Sequence, residues 1–268
     1  MTDERNVSRR QYVKCTVAGV GIAAVASVGT YYATRPTSIA TETSNKISAS
    51  GHPEWWPIMW QDNNRIVGAG PDLLTLIAHD LGLELDVLYQ GTWDQVLEKA
   101  KQGQVDMLVA AYKTSDREQW MDYSISYATD PVTIFVKKGG AFPFEKWEDL
   151  IGKNGIATVG DSYGQEFDTF MEKLSVTRVT TAKEAFAALE EERGEYFIFA
   201  LRSGQKILSE TEYAGKFEYL NKIVTEQNFY ITISKQSRFT SYLPNINELI
   251  QEYRDTGIID ALIKKNME

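Results

Sequence analysis

Helical and strand-like periodicities of apolar and polar positions alternate along the body of the chain. Apolar residues three and four positions apart predict a helix over 70–81, which ends at Gly82. Strict alternation over 83–87 predicts a half-buried strand, and a second helix starts after Thr92. A nearly continuous apolar run over 105–111 is typical of a strand covered on both faces. This strand–helix–strand order predicts an α/β fold with parallel strands.

The second half of the chain repeats this style. Thr181 and Glu184 have the spacing of a capping box, in which side chains bind the free N–H groups at the start of a helix. The predicted strands of this part cover 131–136, 156–159, 196–201 and 229–233. The predicted helices cover 164–174, 182–189, 246–253 and 258–263.

Charge divides the chain into two unequal parts. Residues 1–40 carry a net charge of +3 and the remainder −12, which gives the formal total of −9. Arg9 and Arg10 stand before Lys14 and a stretch of 20 uncharged residues, 15–34. This arrangement resembles a twin-arginine export signal, in which adjacent arginines precede a mildly apolar segment.

The leader has two interpretations. We expect 1–34 to be either an export signal or a membrane anchor, because 20 uncharged residues can also span a bilayer. Small residues at 24–26 and 38–40 fit two alternative cleavage sites. Residues 35–50 are rich in Thr and Ser and predict a flexible linker. The expected location is the periplasm or the outer face of the cell membrane.

Composition narrows the classes of partner. The acidic body argues against nucleic acid, because phosphate binding needs a basic surface. A single cysteine, Cys15, excludes an internal disulfide, and two histidines argue against a zinc site with soft ligands. Hydrophobic residues make up 43% of the chain and aromatic residues 12%, which is enough for a packed core rather than a disordered chain. No metal or cofactor is expected.

Several short motifs follow one another in an order typical of one family. They are Trp55-Trp56-Pro57-Ile58, Gly68-Ala69-Gly70-Pro71-Asp72-Leu73, Trp93-Asp94 with Leu97, Gly103 with Asp106, Thr114-Ser115-Asp116-Arg117, Asp122-Tyr123-Ser124 and Phe229-Tyr230-Ile231-Thr232-Ile233-Ser234-Lys235. Each motif is loose by itself, but their order and spacing together are specific. The chain resembles the extracellular solute-binding proteins of family 3, the polar amino-acid receptors of ABC importers, over about residues 51–265.

The resemblance implies a two-lobe fold of the type II periplasmic-binding-protein class, often called a Venus flytrap. Each lobe would be a mixed sheet flanked by helices, with lobe I at 51–128 and 227–268 and lobe II at 129–226. A small carboxylate-bearing solute, an amino acid or a related organic acid, would bind between the lobes, which would close around it by a hinge motion. The expected protein is a monomer without catalytic residues, and it would deliver its ligand to the membrane subunits of an ABC permease.

Arg117 is the main candidate for the ligand carboxylate. A guanidinium presents a planar fork of donors that fits a carboxylate in two parallel bonds, and the family holds the ligand's α-carboxylate with the arginine of this motif. Thr114 would add a hydroxyl or backbone donor. The resemblance also implies that Trp55 stacks on the ligand and that Trp93 faces it. The alternatives are a surface role for Arg117 and core packing for the two tryptophans.

A second set of candidates follows the strand predicted at 156–159. The corresponding family loop binds the ligand carboxylate through hydroxyls and backbone N–H groups at a helix start. Here Ser162 would supply the hydroxyl, and Asp161 and Tyr163 lie beside it. The alternative is that Asp161 or Ser162 merely caps the helix.

Two departures from the family pattern leave the ligand open. The family has an acid after the strand predicted at 196–201, where it receives the α-ammonium, but this chain has Arg202. Ala110 and Tyr112 lie in a stretch that often carries small hydroxyl residues in the family. Arg117 together with Arg202 would suit a ligand with two anionic ends or a carboxylate without an ammonium. Alternatively, Arg202 points to solvent and the acid comes from Asp161 or Glu54.

Two other functions remain possible on the same fold. One is a lyase or dehydratase that uses a carboxylate of the cleft, with Asp161 and Glu54 as candidate acids, although they form no recognisable pair in the sequence. The other is a sensor domain tethered to the membrane by an uncleaved leader. No nucleophile elbow and no phosphate-binding loop occur in the sequence, which argues against a serine hydrolase and a nucleotide hydrolase.

Overall fold

The computed structural model describes residues 45–210 and 212–268. The predicted leader, with its twin-arginine pattern and Cys15, and the linker up to residue 44 lie outside these residues. Within the described ranges, no helix combines the length and the apolar character that crossing a membrane requires.

The elements alternate as the sequence patterns predict. The strands are β1 (Lys46–Ser50), β2 (Glu54–Trp55), β3 (Met59–Asp62), β4 (Arg65–Val67), β5 (Glu84–Val87), β6 (Met107–Ala111), β7 (Met121–Lys137), β8 (Asn154–Thr158), β9 (Ser175–Val179), β10 (Tyr196–Ala200), β11 (Phe217–Tyr219) and β12 (Thr225–Ser234). The α-helices are α1 (Ala69–Asp80), α2 (Trp93–Lys101), α3 (Gln165–Met171), α4 (Ala182–Glu190), α5 (Leu201–Glu210), α6 (Leu243–Asp255) and α7 (Ile258–Lys265). Short 3-10 turns lie at Arg117–Gln119, Trp147–Leu150 and Thr240–Tyr242.

One mixed sheet runs through the described part of the chain. Its strand order is β5-β1-β6-β12-β7-β10-β8-β9, with β11 paired to β7, and a small separate sheet contains β2, β3 and β4. Strands β5, β1 and β6 are parallel at one end, and β10, β8 and β9 are parallel at the other. We call the half of the sheet with β5, β1 and β6 lobe I and the half with β10, β8 and β9 lobe II.

The two lobes are connected through β7 and β12, which run antiparallel to each other from Met121 opposite Ser234 to Val132 opposite Thr225. Strand β12 also pairs with β6 of lobe I, while β7 continues beyond β12 to pair with β10 and β11 of lobe II. The same two strands therefore belong to both halves of the sheet, which is the geometry of a double crossover. The C-terminal helix α7 returns to lobe I, where Lys265 forms an ion pair with Asp72 of α1.

The pattern-based predictions hold best where packing is local. Helices α1 and α2 and strands β5 and β6 lie where the periodicity predicts them, and β1 is parallel to both strands. The prediction of a linker over 35–50 is wrong for 46–50, because Ile47 and Ala49 of β1 are buried between β5 and β6. Strand β1 therefore belongs to the same half of the sheet as β5 and β6.

Three further elements differ from the predictions. Strand β7 is much longer than the predicted 131–136, because its first part pairs with β12 and does not have to be apolar on both faces. Helix α5 was not predicted, and it places Arg202 in a first helical turn rather than in a loop. Strand β9 is also absent from the predictions, because it lies at the sheet edge with three of its five residues exposed.

The predicted cap at the start of α4 provides a test of the local sequence rules. Thr181 is the N-cap residue, and its Oγ1 accepts a hydrogen bond from the backbone N–H of Glu184 at 3.2 Å. We expect Thr181→Ala to lower the free energy of unfolding by about 1 kcal/mol, the usual cost of losing such a cap, as measured by urea unfolding followed by circular dichroism. Thr180→Ala, at the exposed neighbouring position, is the control and should change it by less than about 0.5 kcal/mol. Equal effects of the two substitutions would contradict the capping role.

Candidate ligand-binding site

The candidate site lies where parallel strands of both lobes end. His52 follows β1, Tyr112 follows β6, and Asp161 follows β8 after a short turn. In open α/β sheets ligands bind outside the carboxyl ends of the strands, because several loops meet there. The fold therefore brings these three residues together although they are far apart in the sequence.

Buried aromatic rings form one wall of the site. The Trp55 ring stacks on His52 at 4.3 Å between centroids and on Tyr112 at 4.7 Å. Trp93 tilts against Trp55 at 5.7 Å, and Phe229 of the crossover strand β12 lies 5.5 Å from it. Trp55 and Trp93 thus both pack against His52 and against each other, as their core-packing alternative predicts, and their contact with a ligand stays a prediction.

Arg117 links the two lobes. Its side chain is buried, its Nη1 donates to the Tyr112 carbonyl at 3.0 Å, and its Nη2 donates to the Gly160 carbonyl of lobe II at 2.8 Å. The guanidinium lies 5.7 Å from the Trp93 ring centre, a cation–π distance. Thr114 Oγ1 accepts the Arg117 backbone N–H at 3.3 Å. Arg117 is therefore a buried interlobe residue, not a surface arginine.

Gly160 lies in the turn after β8, which comes close to the start of α2 in lobe I. Its φ of +84° is in the left-handed region that favours glycine, and a Cβ there would come within 3.0 Å of the Asp94 backbone nitrogen at the start of α2. Only a residue without a side chain allows this approach without displacement. The glycine therefore lets the loop after β8 present its carbonyl to Arg117.

The loop after Gly160 uses its polar groups mainly within itself. The Ser162 hydroxyl donates to the Asp168 carboxylate, and the Tyr163 backbone N–H donates to Asp168 Oδ1 at 2.8 Å. The Gly164 N–H donates to Ser162 Oγ at 3.2 Å. The polar groups of Ser162 and Tyr163 therefore bind within the loop that leads to α3, whose N-cap residue is Gly164 without a side-chain cap.

Asp161 and His52 form a buried contact between the lobes. His52 Nε2 lies 3.1 Å from Asp161 Oδ1, and the two side chains are 2% and 1% exposed. The Thr158 hydroxyl donates to the other oxygen, Oδ2. The Glu54 backbone N–H donates to His52 Nδ1 at 3.0 Å. Because Nδ1 accepts, the proton of the neutral ring lies on Nε2, which donates to Asp161.

A second buried carboxylate lies on the crossover strand β7. Asp130 Oδ2 accepts the Tyr112 hydroxyl at 2.5 Å. Burial raises the pKa of Asp130 to about 6, while the Tyr112 hydrogen bond and the positive charge of Arg202 act in the opposite direction. Arg202 Nη1 donates to the Thr129 carbonyl at 3.0 Å. The cation that the sequence places at the ammonium position therefore binds the backbone next to Asp130, and its charge acts on that acid.

The remaining candidates are placed as follows. Ala110 is fully buried in β6, one residue before the end of the strand. Glu54 accepts the backbone N–H of Ala182 at the start of α4 on its Oε2 at 3.0 Å, and burial raises its pKa.

A cavity of about 420 Å³ opens beside Arg117 between the lobes, and Thr114, Trp120, Ser162 and Asp168 contribute to its lining. In the described ranges no group of three or more His, Cys, Asp or Glu side chains is arranged to hold a metal ion.

A sequence profile of the bacterial extracellular solute-binding proteins, family 3, matches residues 47–268. The chain belongs to this family. Its members lie outside the cytoplasm and bind solutes rather than transform them. The sequence resemblance is thus confirmed at the level of the family, whereas the twin-arginine signal remains a prediction.

Three curated relatives match this family 3 protein in sequence. The L-cystine-binding protein TcyA of Bacillus subtilis (strain 168) is 22% identical over 217 residues, which cover 76% of this chain and 74% of the relative. The virulence sensor protein BvgS of Bordetella pertussis is 33% identical over 75 residues, 28% of this chain. Membrane-bound lytic murein transglycosylase F of Ectopseudomonas mendocina (strain ymp) is 30% identical over 125 residues, 45% of this chain. The matches cover only 6% of BvgS and 25% of the transglycosylase.

Solved structures share the family fold. A P235GK mutant of ArgBP from T. maritima superimposes with a TM-score of 0.70 at 21% identity, covering 91% of this chain and 99% of that one. AbpA from Streptococcus pneumoniae, bound to L-arginine, gives 0.68 at 21% identity over 83% and 94% of the two chains. A histidine kinase sensor domain similar to periplasmic binding proteins gives 0.71 at 20% identity over 82% and 95%. The prediction of a two-lobe type II fold is thereby confirmed.

Two polar residues of the site were not singled out from the sequence. His52 follows β1, which the linker prediction concealed, so its position at the end of a parallel strand went unnoticed. Asp130 directly precedes Pro131, where the sequence pattern places the beginning of a strand rather than the middle of one. No strand is predicted before His52, so the sequence offers no signal for it, and only the tertiary structure identifies the partners of Asp130.

Proposed function

We propose that this family 3 protein is an extracytoplasmic receptor that binds an amino acid between its lobes and delivers it to an ABC permease. Lobe I would comprise 46–128 and 227–268 and lobe II 129–226, with hinges in β7 and β12. The basic leader would direct export or hold the protein at the membrane. The match of the family profile over nearly all of the described chain supports this function.

The arrangement of Arg117 and Asp161 carries the proposal. Arg117 binds the carbonyl of Gly160, so its guanidinium lies next to the residue that precedes Asp161. The charge of Asp161 also acts on the Arg117 guanidinium. A cation and a carboxylate at one site suit the two charged groups of an amino acid, because each ligand charge meets an opposite charge away from water. The α-carboxylate would bind the guanidinium and the α-ammonium would bind Asp161.

Arg202 then has a different role from the one that its sequence position suggests. Its Nη1 binds the Thr129 carbonyl, and its charge acts on the carboxyl of Asp130. Because Asp130 offsets this charge, we do not propose Arg202 as a second anion site, and the dicarboxylate interpretation loses its main support. The ammonium acceptor comes instead from Asp161, the alternative that the sequence left open.

A thermal-shift panel tests the proposal. The panel contains the standard amino acids, L-cystine, matching carboxylic acids without the amino group, and dicarboxylates. At 100 times its Kd a ligand stabilises the folded state by about 2.7 kcal/mol, so Tm should rise by about 5–10 °C. We expect amino acids to raise Tm and their deaminated analogues to fail.

Calorimetry on Asp161→Asn separates the ammonium contact from general binding. Asparagine keeps the size of the side chain but loses its charge, so the preference for the ammonium-bearing ligand should narrow by about tenfold or more. Preferential stabilisation of the parent by dicarboxylates would restore the two-anion interpretation. A panel without any hit would contradict the receptor function.

A sensor domain is the second candidate. The 33% identity to part of the virulence sensor protein BvgS is the observation that favours it. A sensor would use the same cleft but pass closure of the lobes to a signalling partner instead of a permease. If deletion of the gene for this protein leaves uptake of the ligand unchanged but alters the transcriptional response to the ligand, the result favours the sensor domain.

A further inference from the structure

The turn after β1 reaches into lobe II at two points. His52 binds Asp161 in the loop after β8, and the carboxylate of Glu54 binds the Ala182 N–H at the start of α4. The Glu54 N–H donates to His52 Nδ1, which joins the two contacts into one unit. This single turn of lobe I therefore holds two separate elements of lobe II, using only groups of the protein itself.

His52 is fixed in one tautomer and one orientation. The hydrogen bond from Glu54 leaves the ring proton on Nε2, and the ring stacks on Trp55 with an interplanar angle of 4°. The ring therefore presents a donor to Asp161 Oδ1. Both oxygens of the carboxylate then have a donor, because Thr158 binds Oδ2.

Asp161 is closed to a ligand in this arrangement. Its side chain is 1% exposed, so an ammonium group can reach the carboxylate only after His52 has moved away from it. A hydrogen bond between a neutral imidazole and a carboxylate is then exchanged for one between an ammonium and the same carboxylate. The exchange costs the protein its own interlobe bond, and this cost subtracts from the apparent affinity.

We propose that His52 is a positioning residue that holds the lobes together without ligand and competes with the ligand's ammonium group for Asp161. The competition half of this inference rests on the proposed function, because it takes Asp161 as the ammonium acceptor. The closure half does not depend on any ligand. Removing the imidazole donor should therefore open the unliganded protein and strengthen the binding of an ammonium-bearing ligand.

Two substitutions separate the donor from the ring. In His52→Phe the ring can still stack on Trp55, but no donor faces Asp161. In His52→Gln the amide nitrogen can donate from the position of Nε2, but the stacking is lost. If His52 acted only through the stacking of its ring, His52→Gln would weaken the closure of the lobes more than His52→Phe. The proposal predicts that His52→Phe weakens the closure more.

Distances between the lobes test closure without a ligand. In the full chain with Cys15→Ser, spin labels at Lys101→Cys and Glu166→Cys place one probe on an exposed position of each lobe. Ligand carried through purification is removed by unfolding and refolding, and pulsed electron spin resonance then measures the distance distribution. We expect one short distance in the parent, a second and longer population in His52→Phe, and the parental distribution in His52→Gln.

Calorimetry with L-arginine and L-cystine as probes tests the competition. We expect His52→Phe to bind about tenfold more tightly than the parent, and His52→Gln to bind like the parent; tenfold corresponds to about 1.4 kcal/mol. Weaker binding by His52→Phe would overturn the competition and make His52 a ligand-binding group. An unchanged distance distribution in His52→Phe would overturn the closure.

A further variant and the distance measurements test the proposal even if His52→Phe does not fold or no ligand binds. If His52→Phe does not fold, Asp161→Ala breaks the same contact from lobe II and should produce the same longer distance. A parental distribution in Asp161→Ala would then overturn the proposal. If neither probe nor any other amino acid binds the parent, the proposed function fails, while the distances still decide whether His52 closes the lobes.

Discussion

Arg117→Ala is expected to weaken amino-acid binding by about 100-fold or more while the protein remains folded. The guanidinium is the charged group that both lobes approach, and loss of a buried charged donor costs about 2–5 kcal/mol in an interface. The substitution also removes the donors to the Tyr112 and Gly160 carbonyls, so Tm should fall. Calorimetric titration gives the affinity, and circular dichroism verifies the fold.

Two controls make the Arg117 result specific. Arg117→Lys keeps the charge but loses the planar fork, so its affinity should lie between those of the parent and of the alanine variant. Arg193→Ala removes an exposed arginine paired with Glu191 and should leave the affinity unchanged. Parental affinity in Arg117→Ala would remove this residue from the site.

Asp130→Asn is expected to make the protein more stable at pH 7.5 by up to about 3 kcal/mol. The pKa of Asp130 is about 6 in the folded protein, above the value near 3.9 of an unfolded chain. The folded state therefore binds this proton more tightly, and ionisation of Asp130 as the pH rises through 6 costs stability. Asparagine stays neutral and can still accept the Tyr112 hydroxyl.

The stability difference should become small as the pH falls toward 4, because the carboxyl is then protonated in the folded state and about half protonated in the unfolded state. Urea unfolding of parent and variant at several values between pH 4 and 7.5 measures it. Asp62→Asn, at an exposed carboxylate, is the control and should change the free energy of unfolding by less than about 0.5 kcal/mol throughout. A difference that is constant with pH would contradict the buried, proton-binding state of Asp130.

The sequence predicts the helices and central strands well because their apolar spacing is a local property. Helix α1 and strand β6 need only their own periodicity to be recognised. Strand β1, by contrast, contains only Ile47 and Ala49 as apolar residues, and it is a strand because β5 and β6 lie on either side of it. The start of β7 is likewise determined by its partner β12, which lies about a hundred residues later in the chain.

The candidate site likewise combines residues that local motifs single out with contacts that only the fold creates. Arg117, Trp55 and Trp93 belong to motifs whose order along the chain reveals them, and the structure brings all three together. The contact of His52 with Asp161 joins residues 109 positions apart, and the contact of Arg202 with the Thr129 carbonyl joins residues whose proximity depends on the crossover. No local pattern encodes these contacts, so the partner of a buried charge emerges only from the fold.

The late position of β12 in the chain has a consequence for the synthesis of the protein. This strand occupies the middle of the sheet, between β6 and β7, yet it comes after every other strand in the chain. Until the ribosome has released it, β6 and β7 each present an unpaired edge, and such edges can pair with other chains. The nascent chain is therefore most prone to aggregation just before β12 is synthesised, which is when a chaperone would be of most use to it.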